Sequence, residues 1–220
     1  MMYVPKEPPL PVSAPPACIA DTRQAWFDRY AQVRADTAKL TSPLSAEDQQ
    51  IQSMPEVSPT KWHLAHTSWF FETFLLTPLA ADYAPFHDQF GYLFNSYYEA
   101  VGERWPRPSR GLLSRPSLEQ IWAYRAHVDA AMASLIAGAS DLAWAQARSL
   151  LELGLHHEQQ HQELSLMDIK HVLSLNPLSP AYDPTLRPDG WTIRTIVERV
   201  ERIGDLFAGA QTDAQALPPV

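Results

Sequence analysis

The chain carries a single cysteine, Cys18. That excludes an intrachain disulfide framework and any zinc or iron–sulfur site built from several thiolates. No run of about 18 apolar residues occurs, so no segment reads as a membrane span. Prolines interrupt the N-terminus before a signal-peptide core can form, and the expected compartment is the cytoplasm. Positive charge is scarce: 17 Lys and Arg stand against 25 Asp and Glu, a net charge of −8. A nucleic-acid grip built on bulk charge is disfavoured, and no nucleic-acid partner is expected. Sustained two-residue alternation of apolar and polar residues is also missing, which argues against a sheet.

What is present is enough apolar material for one core, divided by prolines into helical stretches. Residues 1–18 include Pro5, Pro8, Pro9, Pro11, Pro15 and Pro16 and read as a flexible, extended arm. Asp21 is placed to cap a first helix, in which Trp26, Phe27, Tyr30, Val33 and Leu40 follow a 3.6-residue rhythm. A short polar helix is expected over residues 46–51. Ser58-Pro59 reads as the cap and first turn of a second helix that reaches about Leu76. Residues 78–116 are irregular and aromatic-rich, the kind of long connection that is often functional. Pro116-Ser117, with Glu119-Gln120 behind, opens a third helix that Gly138 ends. A fourth helix starts near Ser140 or Asp141, runs towards Ser174 and breaks at Asn176-Pro177.

The expected fold class is all-α. Four sizeable helices bury their stripes most simply as a four-helix bundle, here with a long connection between the second and third. Ile193, Ile196, Val197, Val200, Ile203, Leu206 and Phe207 predict an extra C-terminal helix before a disordered tail. The expected organisation is an arm at 1–18, a helical bundle at 19–182 and a helix with tail at 183–220.

Two histidine groupings stand out. In Leu155-His156-His157-Glu158-Gln159-Gln160-His161 the pair His157 and His161 is four apart, so both leave one helix face and can reach one ion. That face continues through Leu150, Leu153 or Gly154, Leu164 and Asp168, which makes it the inward face. A mid-helix glycine costs about 1 kcal/mol relative to alanine. Gly154 is therefore expected to make room for something bulky, such as a facing aromatic or a substrate. The second grouping is His63 and His66, where His66 interrupts an apolar face made by Trp62, Trp69 and Phe70. Buried imidazoles are costly unless paired or bound to metal. The preferred ligand set is His66, His157 and His161. Three neutral imidazoles leave open positions on a divalent ion, as a catalytic centre requires, and suit zinc, nickel or iron(II).

Two other readings of these residues remain open at this stage. His157-Glu158-Gln159-Gln160-His161 matches the HExxH pattern, which would make Glu158 the base of a metallopeptidase. The best third ligand, however, lies far upstream instead of downstream. Alternatively, the histidines form a metal-free cluster hydrogen-bonded to Asp168, Glu72 and Thr73.

Longer strings carry a family resemblance. Ser58-Pro59-Thr60-Lys61-Trp62-His63-Leu64-Ala65-His66-Thr67, then Trp69-Phe70-Phe71-Glu72, resemble the start of the ergothioneine-pathway sulfoxide synthases. So do Phe94-Asn95-Ser96-Tyr97-Tyr98, Pro106-Arg107-Pro108-Ser109-Arg110-Gly111 and His157 through Glu163. The resemblance covers residues 20–182, the DinB-like four-helix domain at the N-terminus of that family. It implies non-haem iron(II) held by His66, His157 and His161. It implies a betaine of histidine, hercynine, bound at the metal, and coupling of that betaine by dioxygen to a thiol, glutamylcysteine or cysteine. It further implies that Gln159 and Gln160 lie near the betaine and that Arg107 and Arg110 grip the thiol's carboxylates.

Beyond Tyr182 the family pattern stops, and residues 183–220 do not resemble the formylglycine-generating-enzyme-like domain that comes next in the family. The expected function is an iron(II)-dependent oxidative sulfur-transfer module, incomplete without a second domain or partner chain. One alternative is a stand-alone DinB-type, divalent-metal-dependent thiol transferase. Another is a non-catalytic metal-binding bundle, dimerising through the C-terminal helix.

Overall fold

A computed structural model describes residues 22–96 and 102–185. The expected arm, Tyr97, Tyr98 and the expected helix over 191–207 lie outside the described residues. The chain divides into two compact units, Met1–Tyr182 and Asp183–Val220. Every helix among the described residues belongs to the first unit.

No strand occurs among the described residues. Helix α1 spans Arg23–Thr41. Its cap is Thr22, one residue later than Asp21. Thr22 has the extended backbone of a cap, and its hydroxyl accepts from the Ala25 N–H at 3.2 Å. The stretch expected to form a short polar helix supplies only a 3₁₀ turn at Asp48–Gln50. Helix α2, Thr60–Phe71, is buried at every position. The α-helical turns end at Phe71 and not at about Leu76, but the helical path continues. A π turn over Glu72–Leu76 leads into the short α3, Thr77–Leu79. In that turn the Thr77 N–H reaches back to the Glu72 carbonyl. The wide turn accommodates Pro78, which has no N–H to continue an α-helical ladder.

The long connection holds α4 at Phe90–Phe94 and a 3₁₀ turn at Arg107–Leu112. Helix α5, Leu118–Gly138, opens with the expected capping box, Ser117 and Gln120 exchanging bonds of 3.2 and 2.8 Å. Helix α6, Asp141–Ser174, has 34 residues and is about 50 Å long.

Helices α1, α2, α5 and α6 form the bundle, with α2 packed on both α5 and α6. Tyr30, Leu64, Trp69, Phe71, Tyr124, Met132, Leu151 and Leu155 fill the core. One charged cluster crosses it. Glu158, fully buried, accepts from Arg34 at 3.0 Å, Arg125 at 2.9 Å and Thr37 at 2.7 Å. Arg34 also donates to Asp129 at 2.7 Å and Ser68 at 3.0 Å. Arg125 donates to the Leu64 carbonyl and to Thr67, each at 3.0 Å. Burial pushes the Glu158 carboxyl up, but Arg34 and Arg125 outweigh it and hold the group down at about 2. The cluster ties all four helices together and fixes the rotation of α6. With Glu158 pointing to the arginines, the neighbouring His157 is turned towards α2.

Candidate metal centre

The centre forms where the middle of α2 meets the middle of α6. His66 is held on three sides. Its ring lies stacked between the indoles of Trp62 and Trp69, with centroids 4.5 and 5.3 Å away. Its Nδ1 lies 2.6 Å from the Phe94 carbonyl of α4. A carbonyl only accepts, so Nδ1 carries the proton and Nε2 presents a lone pair. That Nε2 faces Nε2 of His157 at 3.2 Å. The ring of His161 lies 4.6 Å, centroid to centroid, from both His66 and His157. One nitrogen from each of the three falls within 4.8 Å of the others.

Gly154 explains how α6 comes so close to α2. A Cβ there would stand 2.5 Å from Cε1 of Phe71 and 3.0 Å from Cε1 of Phe70. The aromatic demand for room inferred from the sequence is therefore met by Phe70 and Phe71. Phe70 in turn packs against the His157 ring at 4.7 Å. The inward face passes through Gly154 and not Leu153, which is 55% exposed.

All three imidazoles are neutral near pH 7. Burial drives His66 far below the ordinary histidine range, with His157 adding to the effect. His157 is lowered to about 4, mainly by burial. Burial and the three neighbouring histidines His66, His63 and His157 lower His161 strongly as well. Three neutral rings with convergent nitrogens suit a divalent transition metal. The approach of His66 to His157 is compatible with the same reading. At 3.2 Å one Nε2 must donate to the other unless a cation satisfies both lone pairs. The residues fit a metal.

The cluster opens on a cavity of about 490 Å³ whose walls include Arg107, Arg110, Ser96, Gln160 and Leu164. Arg110 is buried, its guanidinium 3.3 Å from the Trp62 ring centroid. It donates to Ser58 at 2.9 Å and to Ser96 at 3.2 Å. Arg107 is half-buried and donates to the Glu56 carbonyl. Of the two glutamines, Gln160 lines the cavity and Gln159 does not. Gln159 is exposed, and its Oε1 pairs with His156 Nδ1 at 3.2 Å.

The metal-free cluster fails in two of its three partners. Glu72 instead accepts from Tyr83, from Tyr124 at 2.6 Å and from the Phe86 N–H at 3.2 Å. Thr73 lies beside Trp69 in the wall of a separate cavity. Asp168 does take part, but through His63, whose Nε2 lies 3.0 Å from Asp168 Oδ2. The peptidase reading also fails, because Glu158 is locked between Arg34 and Arg125 and does not line the cavity.

A sequence model of a protein family, described as the DinB superfamily, matches residues 29–165. The chain belongs to the DinB superfamily. The match runs from α1 into α6 and includes all three histidines of this DinB centre. A search of curated proteins finds no match. No helix among the described residues is long and apolar enough to cross a membrane.

Proposed function

We propose that this DinB-superfamily chain is a divalent-metal-dependent module for oxidative sulfur transfer. Iron(II) is the metal in this reading, a histidine betaine and a small carboxylate-bearing thiol are the substrates, and a second domain or partner chain completes the site. The observation that carries the proposal is the shared cavity. The open side of the three-histidine cluster and the braced guanidinium of Arg110 face the same 490 Å³ space. That volume takes a small molecule.

When bound, the ion supplies Lewis acidity and one-electron chemistry towards dioxygen. The chain's own residues supply placement. His66, clamped by two indoles and the Phe94 carbonyl, holds its lone pair in one direction. Arg110, fixed by Ser58, Ser96 and Trp62, offers positive charge to a carboxylate without needing to be ordered first. Gln160 can offer an amide to the polar end of a betaine.

The test is anaerobic loading with iron(II), followed by hercynine and glutamylcysteine or cysteine, then air. Hercynine binding to the iron-loaded protein is expected, and sulfoxide product once a completing partner is added. Absence of hercynine binding overturns the proposal. Zinc in the isolated protein with oxygen-independent thiol transfer would replace it with the thiol-transferase reading.

A further inference from the structure

His63 is buried beside the metal cluster, yet it does not belong to the three-histidine set. Its two nitrogens have different neighbours. Nε2 lies 3.0 Å from Asp168 Oδ2, and Nδ1 lies 2.8 Å from Nδ1 of His161. Asp168 Oδ2 already accepts the Ser58 N–H at 2.9 Å. A carboxylate has no proton to give, so His63 Nε2 is the donor. A neutral ring that donates at Nε2 accepts at Nδ1. His161 must therefore donate from its Nδ1, which leaves its Nε2 as the lone pair free to ligate.

We propose that His63 and Asp168 are positioning residues of the metal centre, fixing His161 in the Nδ1–H tautomer with Nε2 aimed at the ion. The inference rests on the metal reading given above. The device parallels the one at His66, where the Phe94 carbonyl receives the Nδ1 proton. Metal-bound histidines ordinarily hand their second N–H to a carboxylate, a carbonyl or water. Here an imidazole is inserted between ligand and carboxylate. The chain of contacts runs from His161 on α6 to His63 on α2 and back to Asp168 on α6. One consequence is that α2 and α6 are cross-linked beside the ion by neutral and charged hydrogen bonds together. The other is that His161 is aimed before any metal arrives, so less ordering is needed on binding.

Two measurements test this. Long-range ¹H–¹⁵N correlation on the metal-free, ¹⁵N-histidine-labelled protein reads the tautomer directly. A protonated Nδ1 and bare Nε2 on His161 are expected; the reverse tautomer overturns the proposal. The second measurement is zinc(II) or cobalt(II) affinity by chelator competition. His63→Leu is expected to weaken binding roughly 10–100-fold, the usual cost of removing such a partner. His63→Gln, whose amide can accept from His161 and donate to Asp168, is expected to stay within about threefold of the unmutated chain. Equal affinity of His63→Leu and the unmutated protein overturns the proposal, as does a metal complex in which His63 itself is a ligand. If His63→Leu does not fold, Asp168→Asn carries the same prediction at smaller size, and the tautomer measurement needs no variant. A chain with the expected tautomer but no metal affinity would remove the metal reading while leaving the His63–His161 bond standing.

Discussion

His66 Nε2 and His157 Nε2 face each other at 3.2 Å across 91 residues of sequence. Aromatic rings pack on both partners: Trp62 and Trp69 stack on His66, and Phe70 packs against His157. The approach depends on α6 lying close to α2, and that closeness depends on Gly154. Gly154→Ala gains about 1 kcal/mol of helix propensity. Against that, the new Cβ meets Phe71 at 2.5 Å, and Phe71 is fully buried with nowhere to retreat. Overpacking of this kind costs about 1–3 kcal/mol. The variant is expected to be less stable in denaturant unfolding by about 1 kcal/mol and to bind metal more weakly. A gain in stability would show that the helices can part at no cost.

Glu158 contributes to the loss of stability in acid, alongside the buried neutral histidines. Its carboxyl stands at about 2 when folded and near the ordinary glutamate value of 4.5 when unfolded. A depressed folded value means stability present in full above the unfolded value and lost as pH falls through the folded one. The loss therefore begins below about pH 4.5 and is complete near pH 2, and it amounts to roughly 3 kcal/mol. Glu158→Gln removes the charge and leaves two buried guanidinium groups without it. A stability loss of about 3–5 kcal/mol is expected, with a flatter stability profile between pH 5 and 2. Unfolding midpoints across that range check it. A variant with unchanged stability and the same acid profile would contradict the role assigned to the cluster.

Arg110→Ala separates substrate binding from metal binding. Hydrogen bonds to charged groups are worth about 1.5–3 kcal/mol. Affinity for a carboxylate-bearing thiol is expected to fall at least about tenfold, while metal affinity stays within about threefold. Arg110→Lys keeps the charge but cannot stack on Trp62 or bond Ser58 and Ser96 together, and partial rescue is expected. Calorimetric titration of metal-loaded protein with the thiol measures the first, and chelator competition measures the metal affinity. Equal thiol affinity in the alanine variant would place the carboxylate elsewhere.

Much of this was legible in the sequence. The spacing of His157 and His161 gives one helix face by geometry alone, and the apolar surroundings of His66 mark it as buried. The limits of α5 and α6 follow from Ser117, Gly138, Ser140 and Asn176, which are local signals. Other features depend on partners distant in sequence. That Gly154, not Leu153, lies on the inward face depends on which way α6 is rotated. Glu158 sets that rotation through Arg34 and Arg125, and no periodicity reveals such a pairing. For the same reason Gln160 reaches the cavity and Gln159 does not. The π turn after Phe71 was hidden because Pro78 reads as a stop, and a widened turn carries the chain past it. His63 was visible only as a neighbour of His66, and its bond to His161 exists only once Asp168 is beside it.

The central claim is a metal held by three histidines from two helices. Anaerobic titration of iron(II) or cobalt(II) into metal-free protein, on the unmutated chain and on His161→Ala, tests it most directly. The account predicts one equivalent bound by the unmutated chain, with a cobalt spectrum characteristic of nitrogen ligands. It predicts loss of that binding in His161→Ala while the helical circular dichroism is retained. An unmutated chain that binds no metal, or a His161→Ala variant that binds one equivalent as tightly, would contradict it.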